Sequence, residues 1–244
     1  MDWTKAKTIL IAALIVTNVF LVFTFGFNNP VQTEPASEKV LISVLANNNI
    51  TLATEVPEKH GKMPVLNIEY RVFNKEKVNQ FVHQMKYIAE TGNDTEEELI
   101  RISNLFLKDN NLYSDYVVLE GVEKQGEGTV VKYKNEIDGI LIEESYIYCY
   151  FENGKLDSID SYWLEAKNLG DSKKNTISAS EALVIFMSQI EKQEEDIVVN
   201  RIELVYWLDT SSFDGEELIK DTALPAWKIV YNENQSEHIY AYEQ

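Results

Sequence analysis

From Thr8 to Phe27 the chain runs for twenty residues without a charged side chain. A helix of that length rises about 30 Å, the thickness of a bilayer's hydrocarbon core. The apolar core of a secretory signal is shorter, about 7–15 residues, and ends in small residues resembling Ala-x-Ala. Here the exit reads Phe23-Thr24-Phe25-Gly26-Phe27-Asn28, bulky and aromatic. The segment is therefore expected to be an uncleaved anchor, residues 8–27, rather than a disposable export tag. Lys5 and Lys7 precede it, and no Lys or Arg follows until Lys39. That asymmetry puts residues 1–7 in the cytoplasm and everything after the span outside the cell.

The span is not uniformly greasy. At 100° per residue Ala6, Ala13, Thr17, Phe20 and Thr24 fall within about 60° of one another, a stripe of mostly small or hydroxylated side chains. Small residues let helix backbones approach closely in lipid, and a hydroxyl or amide can bond across to a partner. Asn18 lies on one flank near the middle, where an unpaired amide is costly. Ala13, Thr17, Asn18, Phe20 and Thr24 are thus the expected contact with another transmembrane helix. The alternative is that Thr17 bonds its own helix and Asn18 is merely tolerated.

The whole chain carries a net charge of −18; the first thirty residues hold only Asp2, Lys5 and Lys7, which leaves −19 on the rest. So acidic a domain is repelled by nucleic acid and by anionic headgroups, so no nucleic-acid partner is expected. Hydrophobic residues at 45% are enough to form a core. Cys149 is the only cysteine, which excludes an intrachain disulfide and a zinc site built on paired thiolates.

Asn28 to Ala36 holds two prolines and reads as a tether. Ser37 is placed to cap a first helix with Val40, Leu41, Val44 and Leu45 on one stripe, ending at Asn47-Asn48-Asn49. Val65–Phe73 reads as a strand. Asn74 opens a second helix with Val78, Phe81, Val82, Met85 and Ile88 on one face, and Thr95 with Glu98 has capping-box spacing for a third, buried through Leu99, Ile102, Leu105 and Phe106. Strands follow at Tyr116–Glu123, Thr129–Asn135, Ile140–Phe151 and Lys155–Trp163. The last two are joined by Asn153-Gly154, a type I′ signal. Tyr146, Tyr148 and Tyr150 alternate with Ile147, Cys149 and Phe151, which predicts a sheet with helices on one side only. The polar stretch Lys167–Thr176, containing Gly170, is expected to separate two lobes, 37–168 and 169–244. The second opens with Ser178 and Glu181 at capping-box spacing before Leu183, Phe186, Met187 and Ile190, and continues as strands Ile197–Leu208, Pro225–Tyr231 and His238–Tyr242. Both lobes are expected to be α+β, helix on antiparallel sheet.

Catalytic chemistry is hard to assemble. His60, His83 and His238 are scattered, and none has another His or Cys at ligand spacing. There is no Gly-x-Ser-x-Gly and no phosphate-cradling loop. Glu143-Glu144 are adjacent on a strand and point to opposite faces. Glu194-Glu195-Asp196 is expected to be a solvated helix end. Asp209–Gly215 faintly resembles a calcium loop, but its glycine is one place late and Phe213 stands where an oxygen ligand belongs. No catalytic residue, metal ligand or cofactor is expected.

The start MDWTKAKTILIAALIVTNVFLVF, the LANNNITL after the first helix and the closing LPAWKIVYNENQSEHIYAYE resemble the YycI (WalI) family. The closing helix and strands also resemble the PepSY type of module. The resemblance implies a non-enzymatic, single-pass membrane protein of Gram-positive bacteria with an α+β outer part that shares its architecture with part of YycH. It implies work alongside YycH (WalH) on the essential sensor histidine kinase YycG (WalK), whose pathway adjusts cell-wall metabolism. Two other classes remain open on the residues: a tethered module that binds a wall fragment, peptide or cation, and a tethered peptidase inhibitor of PepSY type.

Overall fold

The computed structural model describes residues 35–58, 61–88, 95–112, 116–190, 196–208, 220–232 and 234–242. The expected anchor, 8–27, with Ala13, Thr17, Asn18, Phe20 and Thr24, lies outside them. Among the described residues no helix is long and apolar enough to cross a membrane. The chain divides into two compact units, Met1–Asn48 and Asn49–Gln244.

In the first unit the described element is α1, Pro35–Ala46. It begins two residues before Ser37, because Pro35 fits the first helical turn, where its missing N–H costs nothing. Leu41 and Leu45 are its buried positions, whereas Val40 and Val44 are exposed. Asn48 donates its amide to the Val44 carbonyl at 2.9 Å and closes the last turn.

The second unit holds nine strands and three helices among the described residues. The strands are β1 (Ile50–Leu52), β2 (Met63–Arg71), β3 (Val117–Gln125), β4 (Gly128–Ile137), β5 (Ile140–Glu152), β6 (Lys155–Lys174), β7 (Ile197–Trp207), β8 (Lys220–Tyr231) and β9 (Gln235–Tyr240); the helices are α2 (Lys75–Ile88), α3 (Glu96–Asp109) and α4 (Ala179–Gln189). Asn74 begins α2 as expected, its Oδ1 accepting from the N–H groups of Glu76 and Lys77. The Ser178 capping box forms: the Glu181 N–H donates to the Ser178 hydroxyl, and the Ser178 N–H donates to the Glu181 carboxylate at 2.6 Å. At Thr95 the box does not form. Glu98 turns its carboxylate to the Arg101 guanidinium instead, in two bonds of 2.7 and 2.6 Å, because a bidentate ion pair one turn along outcompetes a neutral backbone donor.

The sheet runs β1-β7-β8-β2-β6-β5-β4-β3, with β9 added to β8 and a further pairing of β7 with β5. The expectation of antiparallel sheets needs correcting: β1–β7 and β5–β7 are parallel, which makes the sheet mixed. The β5–β7 contact, Leu141 to Val205 and Ile142 to Tyr206, turns β5, β7, β8, β2 and β6 into a closed ring. One buried cluster draws on every strand of that ring: Met63, Leu66 and Ile68 from β2, Ile142 from β5, Leu164 from β6, Tyr206 from β7 and Ala223 from β8, with Leu208 just past β7. Beyond the ring, β6, β5, β4 and β3 continue as an antiparallel sheet. There α2 and α3 cover one face through Phe81, Met85, Leu99, Ile102 and Phe106 against Ile147, Cys149 and Phe151. These helices lie on the apolar face that the Tyr/apolar alternation marked out. Phe81 meets Phe106 edge to face at 5.4 Å. On β8, Tyr231 meets Phe186 of α4 at 5.2 Å, and the Trp227 indole donates to the Ile177 carbonyl at 3.1 Å.

Asn153 and Gly154 both have positive φ, 50° and 73°, as a type I′ turn requires. The stretch 167–174, expected to separate two lobes, lies in the second half of β6, so the expected lobe change at 168/169 falls inside a strand. Its ladder comes from β2, where Leu66 pairs with Leu169 and Pro64 with Lys173. Gly170 is there for proximity rather than for a turn: a Cβ on it would sit 2.7 Å from Cγ2 of Val65. Val is branched at Cβ and cannot swing away freely. Gly170→Ala is therefore expected to cost about 1–3 kcal/mol in urea unfolding. Gly121→Ala, with nothing within 4 Å of the added methyl, is expected to be nearly neutral. Equal effects would show that Val65 and Gly170 do not pack as described.

Candidate functional site

Two of the expected acidic candidates, Glu194-Glu195 and Asp209–Gly215, lie outside the described residues, as does His60; Asp196 immediately precedes β7. His83 is an exposed position of α2, as expected. Among the described residues no group of three or more His, Cys, Asp or Glu side chains is arranged to hold a metal ion. Cys149 is fully buried, and burial pushes its thiol up to about 12 despite a hydrogen bond with Ser103, so it holds its proton and packs as a small apolar side chain.

What the fold assembles instead is a polar cluster on one side of the ring wall. Glu143 comes from β5, Glu203 from β7, Lys228 from β8 and His238 from β9. Pairing puts Glu203 beside Lys228 and Lys228 beside His238. Strand alternation sends these side chains to the face opposite Leu204 and Trp227. The Lys228 ammonium bonds Oε1 of Glu143, and both side chains are nearly enclosed, at 15% and 13% exposure. Glu203 lies 3.9 Å from Lys228 and is reached by Arg201 at 3.4 Å. His238 Nε2 lies 3.8 Å from the same Glu143 oxygen. Its ring stacks on Trp207 at 4.8 Å, with only 7° between the planes.

Burial works to raise the carboxyl of Glu143, but the neighbouring imidazole of His238 and ammonium of Lys228 outweigh it and hold the group at about 2. Its sequence neighbour Glu144 goes the other way, raised first by burial and then by the charge of Glu143. Sequence reasoning placed the two on opposite faces and missed the cluster, whose charges reach Glu144 as well. The one available signal was a lysine in the otherwise apolar run Pro225–Tyr231.

A second surface is the face of β4, β5 and β6 opposite α2 and α3, continued by Tyr70 of β2. Tyr146 stacks on Tyr148 at 4.5 Å and lies 6.5 Å from Tyr162, which is 4.9 Å from Tyr70. Lys132 sits over the Tyr148 ring and Lys134 over Tyr146, at 5.7 and 6.0 Å. Burial, followed by the charge of Asp160, pushes the Tyr146 hydroxyl up to about 12. It therefore stays protonated, bonded to Asp160 at 3.3 Å. This surface offers stacking and hydrogen bonding rather than covalent chemistry.

The Glu143 carboxyl is held below its ordinary 4.5 in the folded protein, so its stabilisation is present above about pH 4.5 and is lost as pH falls toward about 2. That loss is expected to be on the order of 3 kcal/mol in urea unfolding. Lys228→Met leaves a nearly enclosed carboxylate with His238 alone beside it and should cost about 3–5 kcal/mol near neutral pH, with part of the acid sensitivity gone. An acid profile unchanged by that substitution would contradict the coupling.

The sequence profile of the YycI protein family matches residues 28–243. A search of curated proteins found no match. With nearly its whole length covered by that profile, the chain belongs to the YycI family.

Proposed function

We propose that this chain is a single-pass membrane regulator of the sensor histidine kinase YycG (WalK), acting with YycH (WalH) through its N-terminal helix. The observation that carries this is the family match over residues 28–243, next to the uncharged run Thr8–Phe27. Membership in the YycI family supports a regulatory, non-enzymatic role in the YycFG two-component system. The charge asymmetry around the run supports a cytoplasmic N-terminus and an outer domain beyond the membrane. In this reading the outer domain sets the anchor's position or oligomeric state. The helix can bias the kinase only through its differential affinity for the two signalling states. A coupling of about 1–3 kcal/mol changes kinase output several-fold or more.

The stacked tyrosines favour a second reading, a tethered module that binds an external ligand. The two readings separate on the anchor. Replacing residues 8–27 with an unrelated apolar helix abolishes kinase regulation in the first and preserves it in the second. Within the native anchor, Thr17→Leu with Asn18→Leu is expected to weaken association with YycG in a bacterial two-hybrid assay while circular dichroism of the outer domain stays unchanged. Undiminished association would remove the helix from the mechanism.

A further inference from the structure

Nε2 of His238 is buried and has no hydrogen-bond partner, yet it lies 3.8 Å from a carboxylate oxygen of Glu143. A neutral imidazole can offer an Nε2–H to that oxygen in only one of its two tautomers, and without charge. A proton on both nitrogens makes Nε2 a charged donor facing the carboxylate. The cation would also sit flat on the Trp207 ring, an arrangement that favours positive charge. Trp207 in turn touches Tyr240, two residues beyond His238, at 5.0 Å.

The position of His238 gives this contact leverage. It sits on β9, whose only ladder partner among the described strands is β8. Glu143 directly follows Ile142, and Trp207 directly follows Tyr206, the two residues paired where β5 and β7 close the ring. A bond from His238 to Glu143 therefore ties the edge strand to the closing seam. The groups facing His238 come from four strands. Glu143 and Glu144 of β5 and Glu203 of β7 attract an imidazolium, and Lys228 of β8 repels it. Lys134 of β4 is turned to the Glu143 carbonyl at 3.4 Å. Glu143 keeps its charge throughout the range in which a histidine titrates, about pH 5 to 8, because its carboxyl is held near 2.

We infer that His238 is a proton-operated fastener: on taking up a proton it binds β9 to the β5–β7 seam, so the strand is held more tightly in mildly acid surroundings than in neutral or alkaline ones. The inference does not depend on the kinase assignment. It concerns acidification as a signal the outer domain can register through its closing strand.

The test uses the full chain in detergent. Hydrogen exchange of the amides of Ser236–Tyr240, corrected for the intrinsic effect of pH, is compared at about pH 5.5 and about pH 8. Protection of β9 is expected to rise about fivefold or more at the lower pH and to lose that rise in His238→Gln. Trp207 emission, taken as the difference from Trp207→Phe, should be quenched in one step over the same range, with the midpoint moved to lower pH by Glu143→Gln. Equal protection at both pH values, or a midpoint that Glu143→Gln leaves in place, overturns the inference. Should His238→Gln fail to fold, the wild-type exchange and the emission titration decide the matter without it.

Discussion

Two residue pairs, Leu141 with Val205 and Ile142 with Tyr206, join positions far apart in sequence, and most of the second unit is organised around that junction. Without it β5 and β7 are joined only through β6, β2 and β8. With it the five strands close, and Leu66, Ile68, Ile142, Leu164, Tyr206 and Ala223 gain an interior shielded from water on every side. Closure pairs the start of β5 with the end of β7, stretches that β6 and β1 leave uncovered. It also explains the length of β6, whose first half pairs with β5 and whose second half pairs with β2.

The same junction distributes the chemistry. On the face where α2 and α3 pack, the sheet is apolar and closed to solvent. Its other face carries the stacked tyrosines with two lysines over them. Outside the ring wall the fold gathers Glu143, Lys228, Glu203 and His238, groups too costly to bury singly. No nucleophile stands beside a base in this arrangement, and Cys149 is sealed with its proton in place. A scaffold of this kind suits a family of regulators: it positions surfaces and responds to neighbours.

Local signals were legible in the sequence and long-range ones were not. Asn153-Gly154 fixed its turn because two positive φ angles leave few alternatives. Ser178 and Glu181 formed their box because nothing nearby competed, whereas Arg101 drew Glu98 away from Thr95. The alternation Tyr146-Ile147-Tyr148-Cys149 assigned both faces of β5, because strand periodicity carries that information residue by residue. Gly170 was misread because a strand glycine that admits Val65 looks the same in sequence as a loop glycine. The parallel pairing of β7 with β1 and β5 left no local trace, since it depends on which strands meet. The polar cluster is spread over positions 143, 203, 228 and 238, and only the register of four strands brings it together. The anchor residues Ala13, Thr17, Asn18, Phe20 and Thr24 fall outside the described residues, so their proposed role rests on the sequence alone.

If ring closure binds the strands into one cooperative body, they must open together. Native-state hydrogen exchange as a function of denaturant measures this directly. The most protected amides of β2, β5, β6, β7 and β8 are expected to share a single opening free energy, equal to that of global unfolding. Separate values for residues 116–163 and 197–240, differing by more than about 2 kcal/mol, would mean that the two halves fold independently and that the β5–β7 junction holds nothing together.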